Sequence, residues 1–249
     1  MRIRAILFDL HHTLTKFHED PIEVVRRVSN DCGVDLSGFS DMELEEAHLK
    51  ADDWFKRYQI ENNVELHYGD SPEHWIDQNR VMYEALGIEG IADDILLDVE
   101  RRFKDELLSK EEFTEESIQT IRSLHERGYP IGVATRRYDD PQYLIAKAEL
   151  SEYVSAIHWS GVIGYAKPSP YTLLQVADDI GTNPKLCAYV GNLVNADVTA
   201  AQRGQMLPIL ITWANPGEAG LAPEGTIVRT SPIELLEIFH GPSIAVEIG

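Results

Sequence analysis

The sequence predicts an α/β protein, a doubly wound parallel sheet with an all-helical segment inserted after its first strand. Three observations carry this expectation. The run Ala5-Ile6-Leu7-Phe8 is short, wholly apolar and stopped by a polar residue, as a strand buried on both faces would be. The following 95 or so residues hold no second run of that quality and show helical periodicity instead. From about residue 114 strands and helices alternate, at a spacing that implies parallel neighbours joined by right-handed crossovers.

In the inserted segment, Leu44, Ala47, Ala51, Phe55 and Tyr58 recur at steps of three and four, one face of an amphipathic helix. Ile95, Val99, Phe103 and Leu107 repeat the pattern. Between them Ser71-Pro72-Glu73-His74 reads as a helix start, serine capping and proline in the first turn. Residues 16–110 are therefore expected to form a helical domain, and residues 1–15 with 111–249 the α/β domain. In the latter, Ile118, Ile121 and Leu124 mark a helix halted at Gly128, followed by the strand Ile131-Gly132-Val133-Ala134, which ends on Thr135. A helix near 141–150, a strand near 156–159 and a helix from about Pro170 to Ile180 come next. Cys187-Ala188-Tyr189-Val190, ending at Gly191, and Leu207 to Thr212 complete the strands. Ligands of such sheets lie at the carboxyl ends of the strands, so Asp9, Thr135 and the Gly191-Asn192 pair should converge.

Composition narrows the function classes. With 42 acidic and 22 basic residues the formal charge is −20, which disfavours nucleic acid and anionic lipid as partners. Residues 16–110 alone hold 24 acids against 11 bases, a net of −13. Cys32 and Cys187 are too few and too far apart for a disulfide framework or a zinc site. The opening apolar run is broken by Asp9, too early for a signal sequence, and no stretch approaches the roughly 20 apolar residues that span a bilayer. A cytoplasmic location is expected. Oligomeric state leaves no mark in the sequence.

Four segments carry the chemistry. Phe8-Asp9-Leu10-His11-His12-Thr13-Leu14 resembles the first motif of the haloacid dehalogenase (HAD) hydrolases, an apolar strand followed by DxDGT. Thr135, after its strand, is similar to the second, a lone Ser or Thr. Gly164 to Pro170, with Lys167 ahead of Pro168, resembles the third. Val190-Gly191-Asn192-Leu193-Val194-Asn195-Ala196-Asp197 resembles the fourth, GDxxxxD. The resemblance implies a Rossmann-like core with a C1-type cap at residues 16–110. It also implies an aspartyl-ester intermediate on Asp9, a hydroxyl from Thr135 for a phosphoryl oxygen, and a fixed positive charge from Lys167. Mg²⁺ would be held by Asp9, the carbonyl of His11, Asn192 and Asp197. Arg136 and Arg137 follow Thr135 and are either contacts for a substrate anion or a charged helix start.

Three positions depart from the family's pattern. The second aspartate of the first motif, which protonates the leaving group and activates water, is His11; the next glycine is His12; the first acid of the fourth motif is Asn192. An ordinary histidine titrates near pH 6.5, suited to acid–base work, so His11 either fills the missing role or has none. Asn192 keeps an oxygen for Mg²⁺ but removes a charge, so weaker metal binding is expected. The favoured expectation is a phosphatase of a small phosphorylated metabolite. A metal-free dehalogenase-like hydrolase and a HAD-fold binding or regulatory protein without turnover are the alternatives.

Overall fold

The computed structural model describes residues 2–67 and 75–242. The helix start expected at Ser71 to His74 lies outside them. In chain order the elements are β1 (Ala5–Phe8), β2 (Thr15–Phe17), α1 (Pro21–Asp31), α2 (Asp41–Glu61), α3 (Ile76–Ala85) and α4 (Asp93–Ser109). They continue with β3 (Glu111–Phe113), α5 (Glu115–Glu126), β4 (Ile131–Thr135), α6 (Gln142–Lys147), β5 (Val154–Trp159) and α7 (Tyr171–Asp179). The last are β6 (Cys187–Gly191), α8 (Thr199–Arg203), β7 (Leu207–Ile211) and β8 (Ile227–Arg229).

Six strands form one parallel sheet in the order β5-β4-β1-β6-β7-β8. The chain winds outward from β1 through β4 to β5, then returns to β6 on the other side of β1. The order thus reverses between β1 and β6, the switch point at which such sheets bind ligands. Strand period decides which side chain faces which layer. Ile6 and Phe8 of β1 join Val133, Val190 and Ile209 in one apolar layer, closed by Ile121, Leu124, Leu235 and Phe239. Ala5 and Leu7 join Ala134 and Tyr189 in the other, closed by Leu173, Val176, Ala200 and Ala201. Burying each large aliphatic side chain contributes about 1.5–3 kcal/mol, so both faces of the central strands stabilise the sheet.

The chain divides into two compact units, Met1–Lys16 with Glu112–Gly249, and Phe17–Glu111. The second is built from α1 to α4 around Val24, Val28, Leu44, Ala47, Ala51, Tyr83, Leu96 and Val99. Ser40 and Glu43 form a reciprocal capping box that starts α2. Along α2, Leu44, Ala47, Ala51 and Phe55 are buried, but the next turn buries Gln59 rather than the expected Tyr58. Tyr58 is half-buried, its ring stacked against Trp54 at 5.4 Å. Three short strands escaped the periodicity argument: β2 and β3, which pair with each other, and β8. Three residues are too few to show alternation. α6 is shorter than expected because Glu149 turns left-handed and Leu150 bonds back to Ile145. Among the described residues no helix is long and apolar enough to cross a membrane.

Candidate active site

The residues converge because four strand ends meet. Asp9 follows β1, and its amide donates to Val190 O of the adjacent β6 at 2.9 Å, so its backbone is tied to the sheet. The loop beyond it is tight: Leu10 O accepts from the amides of Thr13, Leu14 and Thr15 at 2.7 to 3.1 Å. This turn needs one left-handed residue, which is His12 at φ 59°. A non-glycine residue there costs about 1–2 kcal/mol relative to glycine.

Lys167 is the centre of the site. Its Nζ donates to Asp9 Oδ1 at 2.6 Å, Asp197 Oδ1 at 2.6 Å and the Tyr189 hydroxyl at 2.9 Å. All three ammonium protons thereby find acceptors, and the three charged side chains are almost wholly buried. Burial alone would strip the lysine of its proton, but the carboxylates of Asp197 and Asp9 outweigh it and hold its pKa above the ordinary value. Tyr189 passes its own proton to Ala134 O at 2.7 Å. Burial and the two carboxylates push the Tyr189 phenol well above its ordinary pKa, so it remains neutral.

Asp197 is itself fixed from both sides. Its Oδ2 accepts from the amides of Asn192 and Leu193, each at 3.0 Å, while Oδ1 faces Lys167. A π-helical turn over Val194–Val198 delivers it, with the amides of Asp197 and Val198 both bonding to Leu193 O. Glu218 accepts from the Val194 amide at 2.6 Å and fastens the start of that turn. Gly191 is required here: a Cβ would lie 2.3 Å from both Cβ and Cγ of Asp197.

On the other side of Asp9, the buried Thr13 hydroxyl lies 3.4 Å from Asp9 Oδ2 and 3.3 Å from Asn192 Oδ1. One side-chain oxygen from each residue therefore turns toward a common neighbour. Those two oxygens, with the His11 carbonyl two residues after Asp9, are the type of ligand that a hard divalent cation takes. Among the described residues no group of three or more His, Cys, Asp and Glu is placed to hold a metal ion.

His11 is mostly buried, its ring stacked on His12 at 3.8 Å between centroids. Burial first, then the proximity of His12 and Arg137, lowers its pKa from 6.5 to about 3. At neutral pH the ring is therefore uncharged. Thr135 is buried at the end of β4. Of the two arginines that follow it, Arg136 is exposed, whereas Arg137 is buried and forks onto Asp139 at 2.9 and 3.2 Å. Trp213, from the loop after β7, donates to Thr13 O at 3.2 Å and presents its edge to His12.

Tyr189, Thr13 and Trp213 were not singled out from sequence. A tyrosine inside an otherwise apolar strand was the available signal, since a buried phenol needs a partner.

Asp9 is thus a buried carboxylate at the switch point of a parallel sheet, held through Lys167 to a second carboxylate. The profile of the haloacid dehalogenase-like hydrolases matches residues 3–205, and the chain belongs to that family. It is 22% identical over 181 residues to a protein of Aquifex aeolicus named phosphoglycolate phosphatase, 68% of this chain and 83% of that one. It is 26% identical over 95 residues to a glyceraldehyde 3-phosphate phosphatase of Methanopyrus kandleri, 38% of this chain and 41% of that one. The fold is similar to the crystal structure of the HAD-hydrolase YfnB of Bacillus subtilis bound to magnesium, with a TM-score of 0.70. Identity there is 17%, over 96% of this chain and 99% of that one.

Proposed function

We propose that the chain is a Mg²⁺-dependent phosphatase of a small phosphorylated metabolite, working through an aspartyl-phosphate on Asp9. One observation carries the reading: Lys167 sits 2.6 Å from one oxygen of Asp9, while the other oxygen of Asp9 and that of Asn192 both face Thr13. The lysine side suits the anionic oxygens of a phosphoryl group, and the Thr13 side suits a hard cation. The names of the two sequence relatives, both phosphatases, support the same reaction class.

Asp9 attacks phosphorus, the bond from phosphorus to the leaving oxygen breaks, and the departing oxygen takes a proton from solvent. Water then attacks the aspartyl-phosphate at phosphorus, releasing phosphate and restoring the carboxylate. Lys167 balances the phosphoryl charge, and the Thr135 hydroxyl donates to one of its oxygens. Mg²⁺, held by Asp9, Asn192 and the His11 carbonyl, would supply Lewis-acid polarisation of the phosphoryl group. Asp197, offered from sequence as a metal ligand, has both oxygens occupied by protein donors, so its role here is to position Lys167. Arg136 meets any further anionic group of the substrate.

Residues 17–111 are read as the C1-type cap that selects the substrate. Arg26 is bound to Leu36 O, Phe39 O and Asp41, and Arg27 to Glu19 and Glu106. With those charges spent, a monophosphate fits better than a polyphosphate.

The depressed pKa of His11 favours a second reading, in which the fold has lost most of its turnover. Phosphate and halide release should be measured on substrate panels with and without Mg²⁺, for wild type, Asp9→Asn and His11→Asp. The phosphatase reading expects metal-dependent phosphate release that Asp9→Asn abolishes. Activity that survives Asp9→Asn sinks the covalent route. A silent wild type revived by His11→Asp supports the second reading, and halide release without metal supports a dehalogenase.

A further inference from the structure

On the face of α2 opposite its buried side lie three exposed apolar residues, with the exposed Asp53 between the second and the third. At about 100° per residue, Met42, Leu49 and Ile60 point within about 20° of one direction, opposite the buried face of Leu44, Ala51 and Phe55. Their exposures are 74%, 62% and 64%, and the stripe runs about 27 Å along the helix. The capping box at Ser40 and a continuous helix to Glu61 make it a rigid rod.

Charge along this face is uneven, although Lys50 stands in its acidic half and Asp52 and Asp53 in its basic half. Glu45 and Glu46 flank the stripe towards its start, Lys56 and Arg57 towards its end, and all four are exposed. The ion pairs these residues make within the helix, Lys50 with Glu46 and Lys56 with Asp52, are surface pairs of little strength and free to rearrange. A two-fold axis through the helix midpoint, near Ala51, superposes the acidic half on the basic half. It lays Met42 on Ile60 of a second copy, Leu49 opposite its Asp53, Glu45 beside its Lys56, Glu46 beside its Arg57 and Lys50 beside its Asp53. A parallel pairing would set acid on acid.

We propose that this face of α2 is an isologous interface with a second copy of this chain, the two helices packing antiparallel. The charge pattern commits the face to itself, because one sequence supplies both halves of the complement. A single helix pair buries an area near the lower limit for a stable complex, about 1,200 Å², so the dimer forms reversibly and at micromolar concentrations. At about 0.15 M salt, screening within about 8 Å removes most of the repulsion between two chains of charge −20 and spares the close pairs.

The test is sedimentation velocity of the full chain from about 1 to about 200 μM, the range a marginal interface demands. Wild type should shift from monomer to dimer across it. Lys56→Glu with Arg57→Glu, and separately Glu45→Lys with Glu46→Lys, should each remain monomeric with unchanged circular dichroism. An equimolar mixture of the two double variants should dimerise again, since all four charge contacts are then attractive. A wild type monomeric throughout overturns the proposal. Variants that dimerise alone, or a mixture that stays monomeric, overturn it equally, since the dimer would then use another face.

Discussion

In the α/β unit Lys167, Asp9 and Asp197 face one another with side-chain exposures of 3%, 8% and 2%, whereas in α2 Lys56 and Asp52 meet at 2.6 Å with 47% and 37%. The distances are alike and the consequences are not. Water solvates the α2 pair whether or not it forms, so it contributes little. The Lys167 group has given up its hydration, and each member depends on the others for its charged state. Contact distance by itself therefore says little about an ion pair; burial decides whether it can do chemistry.

That contrast can be broken most forcefully at Lys167. Lys167→Met leaves two carboxylates buried together and should cost about 3–5 kcal/mol, together with the activity. Urea unfolding checks it, and a loss under about 1 kcal/mol would place these charges in water. An intermediate effect comes from His11. Folded, it stays neutral to about pH 3, whereas unfolded it takes up a proton near 6.5. The unfolded chain then binds more protons between those values, so stability falls as pH drops through that window, by at most about 5 kcal/mol. His11→Asn should lessen the difference in unfolding free energy between pH 7 and pH 4, and equal differences would mean that the ring titrates normally. The smallest effect belongs to α2: Lys56→Ala should change stability by no more than about 0.5 kcal/mol in the same urea experiment.

The strand ends were legible from sequence because apolar runs stopped by Asp9, Thr135 and Gly191-Asn192 state both where a buried strand ends and what it presents there. The partners of those residues were less legible. Tyr189 lies inside an apolar run and reads as core until the lysine is placed beside its hydroxyl. Thr13 and Trp213 act through a backbone turn and a loop whose approach depends on tertiary packing. His11 and His12 were visible as departures, but the lowered pKa of His11 follows from enclosure and from Arg137, over 120 residues along the chain. Tyr58 and Gln59 exchanged places because aromatic stacking on Trp54 held the tyrosine at the surface.

The buried group of Asp9, Lys167 and Asp197 has two negative charges and one positive, a residual of −1 inside the protein. On the proposed phosphatase reading, a phosphomonoester would bring about two more negative charges to that place. Neither guest is then indifferent to the other: a divalent cation lowers the electrostatic cost of admitting the ester, and the ester supplies charge that retains the cation. Thermodynamic linkage makes the two enhancements equal. Each, titrated alone, should bind feebly; titrated together, each should act as the other's effector.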